Sequence, residues 1–386
     1  MSVNVLQLND IALTFYNQAG EQVYAQPAGA LWDGKTLKFG YEANSQSRVH
    51  PQQFNHRYLA TVSGQPLPTP LGPAKNHADL IYHHLLSLDL PNEPFMLAIP
   101  AHWNNEQLSV LLGICQEARV QVAGFADLGL AHALALGDFQ EVTILDVELH
   151  RLTATTVAVE QGRANITDTR VWEARGSQYV YEGWMSVVAD EFVQHTRFDP
   201  LHSGASEQNL YDQLVAWAQS GQSANPRLTI DQRGDTVELE VQRADLSTKL
   251  AQRFASVELN QGTNYAVSAA LQGFPGLRDW IVSQVGEIIS LPELSHNTFA
   301  QLSDELSAEQ VVRISSARCS SGSVSIVNVD ATLTPELKGI THLVSQGIAR
   351  PVHEFQTALT QLKQDRVAPG DVIEVDGRQM MAIKVE

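Results

Sequence analysis

Histidines are the side chains of this sequence best suited to proton transfer or metal binding, and three of them stand in notable positions. His83 and His84 are neighbours in a segment with helical periodicity. Adjacent residues of a helix do not face the same side, so this pair cannot supply two ligands to one metal ion. His102 stands beside Trp103, and we interpret it as a packing residue between parts of the fold.

His150 and Arg151 place an imidazole beside a guanidinium, a combination that can bind an anion. The pair interrupts a long run of strand-forming residues, which is typical of a hairpin turn. We therefore expect a solvent-exposed turn at this point, with anion binding as the alternative.

Short motifs of several enzyme classes are missing from the sequence. It contains no Gly-x-Ser-x-Gly elbow, no phosphate loop ending in Gly-Lys-Ser or Gly-Lys-Thr, and no dinucleotide fingerprint. A Ser-His-Asp triad stays open, because triads assemble in space from distant segments. Cys115 and Cys319 have no partner at a metal-ligand or redox spacing, so we interpret them as thiols in a reducing compartment.

The order of the predicted elements indicates an α/β domain in which helices cover a mixed sheet. Strands are predicted over 3–8, 11–16, 95–99 and 141–159, and helices over 76–88, 128–136 and 179–195. Asn9 and Asp10 make a tight turn between the first two strands. Asn104, followed by Gln107 three residues later, predicts the start of a further helix.

The last part of the chain has a different character and predicts a small β-rich C-terminal module over 326–386. Turn residues at 368–371 and 376–377 separate three short strands. The stretch from Val367 to Arg378 resembles the closing hairpin of small β modules that mediate protein contacts.

Composition restricts the partners of the protein. The 43 acidic residues exceed the 25 basic ones, which gives a formal net charge of −18. Such a surface repels phosphate backbones, so no nucleic-acid partner is expected. No run of about 18 apolar residues exists, which predicts no membrane span. The first ten residues lack a basic region followed by an apolar stretch, so we expect a cytoplasmic protein.

Six segments, in the same order along the chain, resemble the ATPase domain of heat-shock-seventy (DnaK-type) chaperones. Leu97-Ala-Ile-Pro-Ala-His-Trp-Asn104, for example, is similar to the family's Thr-Val-Pro-Ala-Tyr-Phe-Asn. The six segments are 29–59, 97–107, 131–137, 142–146, 198–245 and 267–276. The resemblance implies an actin-like (ribonuclease H-like) two-lobed ATPase fold, with lobe I over 1–165 and lobe II over 166–325.

The resemblance also locates the loops that would hold ATP, and their glycines are missing. Glycine lets a backbone approach phosphate closely. In the first loop Asn9 stands where the family has a carboxylate that helps to hold hydrated Mg²⁺. The second loop keeps Asp146, but Glu148 and His150 follow where glycines are expected.

The third loop and the lysine position depart from the family as well. Ala269 and Ala270 stand in place of a glycine pair, while Gly273 and Pro275 keep the turn. Arg57 falls where the family has its catalytic lysine, and a planar guanidinium does not replace a compact ammonium. By this resemblance Arg57 and Asp146 are the candidate catalytic residues. The candidate cofactor-binding residues are Asn9, Ala269, Ala270, Gly273 and Pro275.

The six segments that resemble the family, together with the altered phosphate loops, predict a pseudo-ATPase. It would act as a protein-binding or scaffold protein, without bound metal. About 60 residues follow the actin-like part, too few for the family's peptide-binding domain and lid. One alternative is a divergent but active chaperone-type ATPase that binds Mg²⁺-ATP through Arg57, Asp146 and the third loop. Another is a platform protein of a secretion or pilus system, for which co-purification with an inner-membrane protein would be the sign.

Overall fold

The computed structural model describes residues 3–220, 224–232, 235–268, 271 and 274–319, and in the C-terminal part 336–337, 342–345, 348–351, 366–367, 372–375 and 378–383. The chain divides into two compact units, Met1–Gly322 and Ser323–Glu386. The larger unit is a mixed α/β structure, as the order of predicted elements indicates.

Most strands of the larger unit belong to two six-stranded sheets. The strands, in chain order, are β1 (Asn4–Leu8), β2 (Ala12–Tyr16), β3 (Gln22–Pro27), β4 (Ala30–Trp32), β5 (Leu37–Phe39), β6 (Phe54–Asn55), β7 (Pro66–Leu71), β8 (Ala74–Asn76), β9 (Pro94–Ile99), β10 (Gln121–Asp127), β11 (Glu141–Val147), β12 (Arg151–Glu160), β13 (Arg163–Glu173), β14 (Arg227–Gln232), β15 (Asp235–Glu240), β16 (Tyr265–Val267), β17 (Ile288–Ser290), β18 (Val312–Ile314) and β19 (Ser316–Arg318).

Helices alternate with these strands along the chain. They are α1 (Gly40–Asn44), α2 (His77–Ser87), α3 (Asn105–Glu117), α4 (Leu128–Leu136), α5 (Ser177–Thr196), α6 (Gly204–Gln219), α7 (Arg243–Phe254), α8 (Leu277–Val285) and α9 (His296–Ser303). Within the described part of the chain, no helix is both long and apolar enough to cross a lipid bilayer.

The two large sheets share a five-strand arrangement and differ in the place of the sixth strand, since β18 pairs with β10 in the first sheet and β19 pairs with β13 in the second. The first has the order β18-β10-β9-β1-β2-β3, and the second has the order β17-β16-β11-β12-β13-β19. Each sheet contains an antiparallel meander, β1 to β3 or β11 to β13. Two parallel strands then follow on the other side of the first meander strand. The second sheet begins at Glu141, inside the range predicted for the first lobe.

Strand β9 at the centre of the first sheet is buried on both faces, which explains its nearly continuous apolar sequence. In β9, Phe95 and Leu97 join a cluster with α2 and α3, while Met96 and Ala98 face the opposite side. Helix α4 is apolar on all sides and therefore buried in the cluster that both sheets share. Helices α5 to α8 cover the outer face of the second sheet.

Local signals in the sequence locate several element boundaries correctly. The predicted helix at 76–88 is confirmed as α2, which begins after a capping box of Asn76 and Asp79. The predicted box of Asn104 and Gln107 begins α3. Each box satisfies backbone N–H groups that the first helical turn leaves unpaired.

The described residues of the C-terminal unit form six short strands. Its strands are β20 (Glu336–Leu337), β21 (His342–Ser345), β22 (Ile348–Pro351), β23 (Arg366–Val367), β24 (Val372–Val375) and β25 (Arg378–Ile383). Four of them form a sheet in the order β22-β21-β25-β24. The three short strands predicted near the end correspond to β23, β24 and β25. The predicted turns at 368–371 and 376–377 lie outside the described residues.

Candidate functional site

The turn between β11 and β12 lies against the turn between β1 and β2, so the two sheets meet there. Asp10, which is 1% exposed, accepts hydrogen bonds from the backbone N–H groups of Leu149 at 2.7 Å and His150 at 3.2 Å. Its Oδ2 also lies 2.6 Å from Nδ1 of His150. The carboxylate in the β1–β2 turn therefore accepts the hydrogen bonds of two backbone N–H groups in the β11–β12 turn.

A chain of hydrogen bonds runs from Asp10 through His150 to His56. Nε2 of His150 lies 2.7 Å from Nδ1 of His56, and the two rings stack with their centroids 4.8 Å apart. Because a carboxylate only accepts, Nδ1–H of His150 donates to Asp10, and with His150 neutral its Nε2 accepts from Nδ1–H of His56. This assignment leaves Nε2 of His56 unprotonated. Burial lowers the pKa of His56 to about 3, so the ring is neutral near pH 7.

A second set of contacts joins the same sheets around His102. Its Nδ1 lies 3.3 Å from Oε1 of Glu148, and its Nε2 lies 2.6 Å from Nη1 of Arg151. Arg151 also donates from Nη2 to the carbonyl oxygen of Ala60 at 3.2 Å. Burial raises the pKa of Glu148 well above its usual range, with the nearby Asp10 acting in the same direction. Together, Asp10, His56, His102, Glu148, His150 and Arg151 form what we call the buried polar cluster.

A small cavity lies beside the cluster and has a volume of about 20 Å³. Asn9, His102, His132, Asp146 and Glu148 are among its lining residues. Nδ1 of His132 is buried and has no hydrogen-bond partner among the described residues. The cavity is large enough for one water molecule.

The candidate residues that the structure describes have structural partners of their own. Oδ1 of Asn9 accepts the N–H groups of Ile11 at 3.0 Å and Ala12 at 2.8 Å and so closes its own turn. Asp146 accepts a hydrogen bond from the hydroxyl of Ser268. Arg57 is exposed, with Nη2 3.3 Å from the Tyr179 hydroxyl oxygen.

The structure brings Asn9 and Asp146 to the same small cavity and leaves Arg57 outside it. Pro275 is buried in the loop before α8. Ala269, Ala270 and Gly273 lie outside the described residues.

The interpretation of His150 and Arg151 as an exposed hairpin turn is wrong. His150 is 1% exposed and Arg151 is 8% exposed, because the first sheet covers their turn. His102 packs between the sheets, as expected. The cluster residues Asp10 and His56 were missed as functional candidates. The available signal was that Asp10 and His150 occupy the equivalent turns of two similar meanders.

Asp127 is a further buried carboxylate, at the start of α4, and it is paired with Arg313 of β18. Nη2 of Arg313 lies 2.8 Å from Oδ1 of Asp127, and the same guanidinium donates to the carbonyl oxygens of Trp103 and Ala101. Burial raises the pKa of Asp127 to about 6, although the Arg313 hydrogen bond opposes this shift. Arg313 therefore ties the start of α4 to the segment that follows β9.

The N-terminus of α5 is closed by backbone carbonyls of the β11–β12 turn. The N–H groups of Ser177 and Gln178 donate to the carbonyl oxygens of Glu148 at 2.9 Å and Leu149 at 3.0 Å. A methyl group on Gly176 would lie 2.3 Å from the Leu149 oxygen. The two segments are therefore too close for any residue other than glycine at position 176.

Replacing Gly176 with alanine is expected to lower the free energy of unfolding by about 1–3 kcal/mol, because backbone atoms must move apart. Urea unfolding monitored by circular dichroism measures this change. Gly113→Ala is the matched control, since a methyl group there meets no atom within 4 Å and lies within α3. The control is expected to be neutral or stabilising by up to about 1 kcal/mol. Equal effects of the two substitutions would contradict the close approach.

A cavity of about 680 Å³ opens beside the start of α6. Arg197, Phe198, His202 and Asp231 are among its lining residues, and it contains none of the predicted site residues. Within the described ranges, no group of three or more His, Cys, Asp or Glu side chains is arranged to hold a metal ion.

No protein-family model matches the sequence, and no curated protein matches it.

Proposed function

We propose that the larger unit has an actin-like two-lobed fold of the heat-shock-seventy type and works as a pseudo-ATPase, a protein-binding scaffold that does not use ATP. Repetition of one order of five strands in both sheets supports a fold of two similar halves. Helices outside both sheets and α4 between them agree with that arrangement. Fold alone does not give function, which depends on the residues where the two sheets meet.

One observation carries the proposal: Asp10 joins the two turns where phosphate loops would be. Its carboxylate takes the backbone N–H groups of Leu149 and His150, which are the donors that a phosphate would need. The space beside these turns is about 20 Å³, whereas ligand pockets measure roughly 300–1,000 Å³. A triphosphate therefore has neither the donors nor the room that it requires.

The charges beside the two turns also disfavour a triphosphate. Burial raises the pKa of Glu148, and Asp10 and Asp146 stand close enough to raise it further. Phosphate oxygens placed beside the carboxylates of Asp10 and Asp146 would be repelled, because like charges in contact cost on the order of 1 kcal/mol or more. Buried side chains thus hold the two sheets together without a nucleotide.

Millimolar Mg²⁺-ATP or Mg²⁺-ADP is expected to leave the thermal midpoint of the purified protein unchanged. A ligand present at about 100 times its Kd stabilises the folded state by roughly 2.7 kcal/mol, which would raise the midpoint by several degrees. Thermal melts with Mg²⁺ alone provide the baseline. A rise with nucleotide that Asp146→Ala abolishes would instead favour the divergent active ATPase.

Partner binding gives a second measurement of the same proposal. Proteins retained on the immobilised chain are expected to stay bound during a wash with Mg²⁺-ATP, because the scaffold has no nucleotide cycle. Release of the retained proteins by ATP, but not by Mg²⁺ alone, would contradict the proposal.

A further inference from the structure

A second cavity, of about 240 Å³, lies where the segment after α1 meets α5 and α6. Its polar lining includes Arg48, His56, Gln178, Glu182, Glu207 and Tyr211. It shares His56 with the buried polar cluster but contains none of the residues predicted from the family resemblance. The cavity therefore requires its own explanation.

His56 lines this cavity, and with His150 neutral its Nε2 is a hydrogen-bond acceptor. Its Nδ1–H is used by His150, which is in turn oriented by Asp10. Nε2 of His56 is the remaining ring nitrogen, and it has no partner among the described residues. An unprotonated imidazole nitrogen accepts hydrogen bonds and cannot donate one.

Two carboxylates stand on the helical wall of the cavity. Glu182 lies one turn after Gln178 on α5, and its Oε1 accepts a hydrogen bond from the Gln178 amide at 2.8 Å. Glu207 lies on α6 and pairs with Arg48, whose Nη1 is 3.3 Å from its Oε1. Two negative charges against the one positive charge of Arg48 leave the lining with a net negative charge.

The cation of Arg48 is already engaged on both of its sides. Its guanidinium carbon lies 4.8 Å from the centre of the Tyr211 ring, in addition to its pair with Glu207. The Arg48 guanidinium is therefore already paired within the cavity wall. Glu182 has no cationic partner among the described residues.

The walls of the cavity are held in place by buried hydrogen bonds. Gln208, which is 5% exposed, accepts from the backbone N–H of Arg48 at 2.8 Å and from the Ser47 hydroxyl at 3.2 Å. Its amide nitrogen donates to the carbonyl oxygen of Asn44 at 3.1 Å. A site formed before ligand arrives loses less free energy on binding.

We propose that this cavity binds a small organic cation that carries several N–H donors, a guanidinium or an alkylammonium group. The cation would donate to Nε2 of His56 and to the carboxylate of Glu182. The net negative lining and the overall charge of −18 attract a cation and disfavour phosphate or carboxylate ligands. This inference does not depend on the pseudo-ATPase proposal, since neither result of the nucleotide melts bears on it.

Calorimetric titration with methylguanidinium and with methylurea tests the charge requirement, because the two molecules have nearly the same shape. Methylguanidinium is expected to bind with a Kd of about 1 mM or tighter, and methylurea at least about tenfold more weakly. Glu182→Gln and His56→Phe are each expected to weaken methylguanidinium binding by about tenfold. His202→Gln, at an exposed position outside this cavity, is expected to leave it unchanged.

Imidazole nitrogen NMR gives a readout that folding defects do not imitate. The Nε2 signal of His56 is expected to be that of an unprotonated nitrogen and to move when methylguanidinium is added. Absence of saturable binding would overturn the proposal, and so would binding that neither Glu182→Gln nor His56→Phe changes.

The source of the cation is decided by a second titration. A short peptide with one arginine is compared with the same peptide carrying neutral citrulline. If the arginine peptide binds more tightly than methylguanidinium, the site takes a side chain of a protein partner. If it binds more weakly than methylguanidinium, the cavity takes a free small cation. Both results support the cation site, whereas equal binding of the arginine and citrulline peptides with no methylguanidinium binding would contradict it.

Discussion

Replacing His84 with glutamine is expected to lower stability at pH 7.5 but to make the protein less sensitive to acid than the wild type. His84 is fully buried, with Nδ1 2.8 Å from the Tyr58 hydroxyl oxygen and its ring stacked on Phe39. Burial lowers the pKa of His84 to about 3, whereas an unfolded histidine has a pKa near 6.5. The unfolded state therefore takes up a proton at a pH where the folded state does not.

The sign of the effect follows from this difference. Stability that the neutral His84 contributes is complete above pH 6.5 and is lost as the pH falls toward about 3. Between pH 7.5 and pH 5.0 the wild type is expected to lose about 2 kcal/mol from this residue alone. Asp127 and Glu148 have raised pKa values and change stability in the opposite direction, but they are present in both proteins and cancel in the comparison.

Urea unfolding at pH 7.5, 6.0 and 5.0 measures the difference between the two proteins. The free energy of unfolding of the wild type is expected to exceed that of His84→Gln at pH 7.5, and this difference is expected to be about 2 kcal/mol smaller at pH 5.0. His202→Gln is the control, because His202 is exposed, and its difference from the wild type is expected to stay constant. A difference for His84→Gln that does not change with pH would show that His84 takes up a proton as readily in the folded protein as in the unfolded one.

Features with a local cause were predictable from the sequence. The turn at Asn9 and Asp10, the capping boxes before α2 and α3, and the hairpin of β11 and β12 all depend on neighbouring residues. Apolar runs such as β9 predicted strands buried on both faces. These signals gave the α/β class and the approximate order of its elements.

The candidate site was less predictable, because its environment comes from distant segments. His150 follows a strand and is polar, which favours an exposed turn. It is buried because Asp10, 140 residues earlier, meets it from the other sheet. Family resemblance pointed to Arg57, whereas the inward-facing residue is its neighbour His56. A difference of one residue is enough to exchange a buried side chain for an exposed one, and sequence similarity does not resolve it.

Replacing Asp10 with alanine is expected to be among the most destabilising single changes in the chain, at about 3–5 kcal/mol. Three donors would lose their acceptor together: the N–H groups of Leu149 and His150, and Nδ1–H of His150. Each buried donor left unpaired costs roughly 1–3 kcal/mol. His56 would also lose the orientation that it receives through His150.

Asp33→Ala provides the matched control for this prediction. Asp33 also accepts two backbone N–H groups, from Lys35 at 2.8 Å and Thr36 at 2.7 Å, but it lies on an exposed turn. Water replaces a lost acceptor there, so the expected cost is about 1 kcal/mol or less. Urea unfolding of both variants at pH 7.5 compares them. A larger effect for Asp10 would mean that burial between the sheets makes its hydrogen bonds essential. Equal effects would mean that water reaches the Asp10 carboxylate between the two turns. A site closed to nucleotide would then lose its main support.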